Sequence, residues 1–419
     1  MAASFLHGVE TFEQVIGPAS ITQVRSGVIF LVGTAPIQNL AVPAFASVNV
    51  PQLCNSPVDD LANFGPDTPG YTIPAALAAI RSAAKGNPTV VVVNVFDPVT
   101  MQTAGAPDPT LVSAANIIGA QTAAGRTGLM LAQDCMTIYG FAAKILIAPV
   151  FCTQATVAAA MSVQAGITRG VYLVDVPIGT TVAQVISSRG TAGPLALNLA
   201  DPRCILLYPM LTCADPNSTT GGTRLEPYSQ HFAGLMSATD NNLGYWWSTS
   251  NQVIPNIVGT EIPISARLND ASCDANQLNS VGVVTVFTAY GTGFRAWGNR
   301  STAFPGSTLP TVFYCVRRTA DTIEDSIEQA SLEFMDHPLT GGLIDTILET
   351  INSFLRSLIG NGAITTGAKA FIDPTQNPAS QLAAGQLVVG YQFMPPPPLE
   401  RITYQSFINI NLISSILPG

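Results

Sequence analysis

Short unbroken runs of Val, Ile and Leu, each followed by a stretch of helical periodicity, recur from residue 28 to about residue 300. "VIFLV" (28–32) precedes "IPAALAAIRSAA" (73–84), and "TVVVVNVF" (89–96) follows. Further on come "ILIAPV", "ATVAAAMSVQ", "GVYLVDV", "TTVAQVISS" and "CILLYPM". A strand apolar at every position is buried on both faces, and helices of about ten residues between such strands suit parallel crossovers. The pattern predicts a doubly wound α/β sheet. No solenoid-type repeat is present.

Beyond about residue 310 the character changes. "TIEDSIEQASLEFM" (322–335) and "GLIDTILETINSFLRSLIG" (342–360) read as amphipathic helices, and "AKAFID" and "QLVVGYQF" as strands. This predicts a separate α+β domain. In "RITYQSFININLISSIL" apolar residues alternate with polar ones, the period of a half-buried strand, over a length that outruns an ordinary strand. Pro395–Pro398 precede it and read best as a hairpin loop between "QLVVGYQF" and "ERITYQSF", with the end of the run continuing outward. Residues 1–26 carry no core signal and read as an arm.

Apolar residues make up 47% of the 419-residue chain and Asp, Glu, Lys and Arg only 10%, against about 25% in a typical soluble domain. The uncharged stretch 145–168 contains Pro149, Gln154, Gln164 and Gly166 and reads as a strand and a helix, so no membrane insertion is expected. The N-terminus shows neither a basic nor an apolar signal region. Subunit contacts, whose cores are poor in charge, account best for the composition and predict an oligomer. A net charge of −9 with scattered Lys and Arg argues against nucleic acid. Seven Cys without a Cys-x-x-Cys pair point to neither a disulfide framework nor a zinc site.

"GTGFRAWGNR" (291–300) follows "SVGVVTVFTAY" and has the outline of a dinucleotide loop. Such a loop must open a helix, whereas "WGNRSTAFPGSTLP" breaks one, so a Gly-rich turn at a domain junction is the better reading, with Arg295, Trp297 and Arg300 as anchors. No Gly-x-x-x-x-Gly-Lys-Ser/Thr loop occurs. His231 and Ser237 suggest a hydrolase triad, but no Gly-x-Ser-x-Gly elbow supports it. Asp270, Asp274, Asp321, Glu324, Asp325 and Glu328 read as solvated or partner-facing carboxylates, not as a metal site. No cofactor, metal or catalytic residue is assigned.

Taken together, "FLHGVE", "VRSGVIFLVGTAP" (24–36), "NIIGAQTAAGRTGLMLAQDCMTIYGFAAKILIAPVF" (116–151), "YWWSTSNQVIPNIVG" (245–259), "LNSVGVVTVFTAYGTGFRAWGNRST" (278–302) and "VRRTADTIEDSIEQASLEF" (316–334) resemble the tail sheath proteins of contractile bacteriophages and R-type pyocins. The resemblance implies a subtilisin-like α/β core without a protease site, a C-terminal α+β domain, and extended N- and C-terminal β arms. The expected boundaries are 1–26, 27–309, 310–402 and 403–419. It further implies a non-enzymatic subunit of a helical sheath that surrounds a tail tube, contracts to drive the tube through a cell envelope, and meets baseplate and tail terminator proteins. Such a subunit belongs in the virion and is assembled in the host cytoplasm. Arms of this kind add strands to neighbouring subunits, here through Val9, Thr11, Phe12, Val15, Ile408, Ile410 and Leu412. The acidic face Asp325, Glu328 and Glu333 is a candidate tube contact. Another self-assembling shell or tube protein, or a Rossmann-like or subtilisin-like enzyme, is the alternative.

Overall fold

A computed structural model describes residues 21–40, 47–190, 195, 197–288, 291, 293–411 and 413. Its centre is an eight-stranded sheet in the order Phe294–Trp297, Val283–Thr288, Cys204–Leu207, Val171–Asp175, Ile145–Ile147, Ile29–Gly33, Val90–Asn94, Gln52–Cys54. The inner six strands run parallel, and the two outermost pair antiparallel with their neighbours. Alternation along each inner strand divides the interior in two. Ile29, Leu31, Val90, Val92, Leu173 and Ile205 face helices Ile73–Ala84 and Tyr228–Asn242, while Phe30, Val32, Val91, Val93, Tyr172 and Leu206 face helix Ala155–Thr168. Both faces are covered, as the apolar runs predict.

The two helices on the first face approach closely at Gly234. A Cβ there would stand 2.3 Å from the Ile80 carbonyl oxygen. Only a hydrogen fits in that space, so this glycine sets the distance between the helices.

The "GTGFRAWGNR" segment is a hairpin. Phe294–Trp297 folds back on Val283–Thr288 with Trp297 opposite Thr285 and Phe294 opposite Thr288, and Trp297 stacks on Phe287 at 4.6 Å between ring centroids. Strand, turn, strand leaves no helix N-terminus to hold a pyrophosphate.

A third, smaller core lies in the C-terminal unit, where Ile323 and Ile327 meet Ile351, Phe354, Leu355 and Leu358 of helix Gly341–Gly360. Lys369–Phe371 and Gly390–Gln392 form an antiparallel pair beside it. The helix predicted over 322–335 in fact spans Tyr314–Ser331. Tyr314, Cys315 and Val316 belong to the first core of the main sheet and Ile323 and Ile327 to the third, so one helix serves both. The hairpin expected across Pro395–Pro398 is absent: residues 401–409 form no ladder with 386–393. Proline has no N–H and holds an extended φ, so four in a row carry the chain onward by about 3.1 Å per residue and do not reverse it.

Candidate assembly site

Two features define the site: a junction that fixes the C-terminal unit to the core, and an apolar segment that leaves it. At the junction, the polar residues of Tyr314–Ser331 are drawn into the molecule by basic partners from the core. Arg203 donates to Asp321 Oδ1 at 2.8 Å, as does Arg317 on the same helix. Arg169 donates to Asp325 Oδ1 at 2.9 Å and to Glu328 Oε1 at 2.7 Å. Lys144 pairs with Asp325 and donates to the Thr168 carbonyl at 2.8 Å, closing the end of helix Ala155–Thr168. Burial pulls the Lys144 ammonium below its ordinary pKa, and the Asp325 carboxylate opposes that pull.

Deeper still, Arg318 donates to Asp240 Oδ1 at 2.9 Å and to the Ser26 carbonyl at 3.1 Å, while the Ser26 hydroxyl donates to Asp240 Oδ2 at 2.7 Å. The Val24 amide donates to Ser326 Oγ at 3.2 Å, and Ile21 packs on the third core. Residues 21–26, expected as part of a free arm, are thus held along the chain's own helix. Val9, Thr11, Phe12 and Val15 lie outside the described residues, as does Leu412.

The acidic residues expected to face solvent or a partner therefore separate. Asp321 is fully buried, Asp325 and Glu328 are paired within the chain, and Glu333 is exposed on the connection to the next helix. A run of carboxylates at helical spacing looks solvated until the opposing Arg and Lys, distant in sequence, are brought against it. Asp270 and Asp274 stand apart: Asp270 accepts from the Ser272 amide in a local turn, and Asp274, at the start of helix Asp274–Ser280, accepts from the Ser265 hydroxyl nine residues earlier.

The departing segment starts at a clasp. Arg300 lies over the Phe304 ring at 3.9 Å and the Phe313 ring at 5.1 Å, and donates to Glu400 Oε2 at 2.6 Å. From there residues 401–410 are exposed throughout and, among the described residues, pair with no strand. Tyr404, Phe407, Ile408 and Ile410 stand in solvent, Ile408 completely. Nearby, the amide of Ala370 is taken by Asn352 Oδ1 at 2.8 Å, so it points away from its partner strand. In an antiparallel pair the residue directly opposite, Tyr391, must then also turn its amide and carbonyl outward. Among the described residues no strand lies on that edge.

His231 and Ser237, set aside as a hydrolase pair from the sequence, do not meet. Ser237 donates to the Gly27 carbonyl at 2.9 Å, whereas buried His231 lies 2.7 Å from Glu226 Oε2 and 3.6 Å from Cys213 Sγ. Burial acts to raise the Glu226 carboxyl, but His231 and Arg224 outweigh it and hold the group down at about 2. Among the described residues, Cys213, Glu226 and His231 form the sole group of three ligand-bearing side chains close enough to share a metal ion.

The family description "Phage tail sheath protein central domain" matches residues 124–302, and "Phage tail sheath C-terminal domain" matches 312–409. The tail sheath protein of Burkholderia phage BcepMu is 38% identical over 493 aligned positions, covering 100% of both chains. The chain belongs to the phage tail sheath family. It is a structural subunit of a contractile sheath. The tail sheath protein of Escherichia phage P2 is 28% identical over 99% of both chains. Among solved structures, the sheath complex of the extracellular contractile injection system PVC in its contracted state aligns at TM-score 0.66 and 16% identity, over 98% of this chain and 99% of that one. That likeness establishes the sheath fold. The boundary between the two matched family domains, 302 to 312, falls where Arg300 and Phe313 clamp the root of the exposed segment.

Proposed function

We propose that this sheath subunit polymerises helically around a tail tube by lending its ends as β-strands to adjacent copies, and that contraction rearranges the globular faces while these links hold. The carrying observation is the coincidence of an exposed, apolar-rich segment, 402–411, with an outward-facing strand edge at Gly390–Gln392 in the same unit. Backbone bonds net about 0.5 to 1.5 kcal/mol each, and burying an Ile or Phe contributes about 1.5 to 3 kcal/mol. Five or six bonds with two or three such side chains make a durable link even after ordering costs.

The remaining elements of the proposal follow from the same reading. Ile408 and Ile410 serve this contact, with Leu412 and the N-terminal Val9, Thr11, Phe12 and Val15 as further arm residues. Glu333 is the acidic residue left available to a tube, since Asp325 and Glu328 are engaged within the chain. The tube, the baseplate and the terminator are the partners, and the virion tail, built in the host cytoplasm, is the location. The core is subtilisin-like in its helix-covered parallel sheet only, and the subunit has no enzymatic role.

Deleting residues 403–419 tests the link. The expected product is a folded monomer with an unchanged far-ultraviolet spectrum that forms no tubes by sedimentation or negative-stain microscopy. Tubes assembled from the truncated chain would refute the proposal.

A further inference from the structure

The cluster on the outer small sheet has no role in assembly as described. Cys213 lies on Leu211–Ala214 and Glu226 on Thr223–Glu226, strands paired antiparallel, and His231 is in the first turn and a half of helix Tyr228–Asn242. The geometry points to a site for one thiophilic divalent cation of the zinc class, held by Cys213 Sγ, Glu226 Oε2 and His231 Nε2. This inference is independent of the strand-exchange reading.

Four-coordinate binding at about 2.0 to 2.3 Å sets ligand atoms roughly 3.3 to 3.6 Å apart. The sulfur already lies 3.6 Å from Nε2. The 2.7 Å contact between Oε2 and Nε2 is a hydrogen bond and must open by about half an ångström once the cation replaces its proton. Gln230, whose amide nitrogen donates to the same Oε2 at 3.0 Å, is placed to turn its oxygen toward a fourth position.

Charge and solvation agree. Arg224 donates to the other carboxylate oxygen at 2.8 Å and pairs with Asp67 at 2.6 Å. With the thiol ionised, Cys213, Glu226, Asp67 and the partly exposed Asp215, 3.9 Å from Arg224, carry four negative charges, and Arg224 with a divalent cation offsets three of them. Asp175, buried beneath the helix start, is already satisfied by the amide and hydroxyl of Ser229. His231 Nδ1 is buried with no hydrogen-bond partner among the described residues, so hydrogen bonding inside the protein does not fully account for this imidazole. Binding expels the thiol proton and displaces the Nε2 proton, either to Nδ1 or to solvent. The ion would pin the outer sheet to the helix whose far end holds Arg318 through Asp240.

Cobalt(II) added to the reduced full-length chain is the probe. The expected result is one equivalent bound with a thiolate-to-cobalt charge-transfer band, lost in Cys213→Ser and His231→Gln and kept in Cys135→Ser. No band in the native chain, or a band that survives Cys213→Ser, overturns the assignment. Should those variants not fold, alkylation mapped by mass spectrometry in mild denaturant decides on the native sequence. Zinc is expected to slow labelling of Cys213 at least tenfold and by more than it slows that of Cys135, and equal labelling of Cys213 with and without zinc overturns it.

Discussion

The core sheet and the C-terminal unit solve the same problem in opposite ways. In the core, six parallel strands are covered on both faces and their two edges are closed by antiparallel strands from the same chain. The C-terminal unit has two long helices and the short Ala379–Ala383, a two-stranded ladder in which the backbone amide and carbonyl of Tyr391 face outward, and a tail of isoleucines and aromatics in solvent. One region is complete in a single molecule, and the other has surface and hydrogen-bonding capacity left over. Incompleteness of this kind is costly in a monomer and useful in a polymer.

That contrast breaks first at the tail. Ile408→Lys with Ile410→Lys is expected to abolish assembly in sedimentation while shifting monomer stability by less than about 0.5 kcal/mol, because both side chains are exposed. Loss of monomer stability would mean that the tail packs on its own body.

The junction gives the next largest effect. Removing one member of a buried ion pair leaves the other uncompensated, at about 3 to 5 kcal/mol. Arg318→Met should therefore cost about that much in denaturant unfolding, since Asp240 and the Ser26 carbonyl lose their donor. In the core, Ile147→Ala is expected to cost about 2 to 5 kcal/mol, the range for a buried aliphatic cavity. The same truncation at Ile410 should be nearly silent in a monomer.

A smaller effect sharpens the comparison through pH. The Glu226 carboxyl is lowered from 4.5 to about 2 in the folded chain. Its contribution is thus complete above pH 4.5 and is lost as pH falls toward 2. Unfolding midpoints of the native chain and of Glu226→Gln should differ most above pH 4.5 and converge below pH 3. Smallest is the clasp: Glu400→Gln should change monomer stability by under about 1 kcal/mol, as expected for a partly exposed pair.

The core was the more legible region. Val90–Val93 and Ile145–Ile147 can hardly be anything but two-sided strands, and the structure places them so. Legibility failed where burial is polar. Arg317, Arg318, Thr319, Asp321 and Thr322 look like a solvated stretch, so the middle of the bridging helix, 317–322, carries little apolar signal; ion pairs with Arg203 and Asp240 and back-bonding to carbonyls draw these residues inward. The cysteine, glutamate and histidine cluster was equally hidden, since its members come from two strands and a helix without any ligand spacing. In the last segment the alternation was visible, but a period of two does not say which chain supplies the neighbouring strand. The family resemblance rested on matches spread through the chain and is the reading the relatives bear out most fully.

The helix Tyr314–Ser331 deserves a mechanical reading. Because one helix is rooted in the main sheet's core at one end and in the third core at the other, a load on the C-terminal unit is expected to reach the main sheet through the buried pairs of Arg318 and Asp321. A load arriving there is expected to shear buried ion pairs in parallel, whereas a strand pulled from a sheet edge gives way one bond at a time.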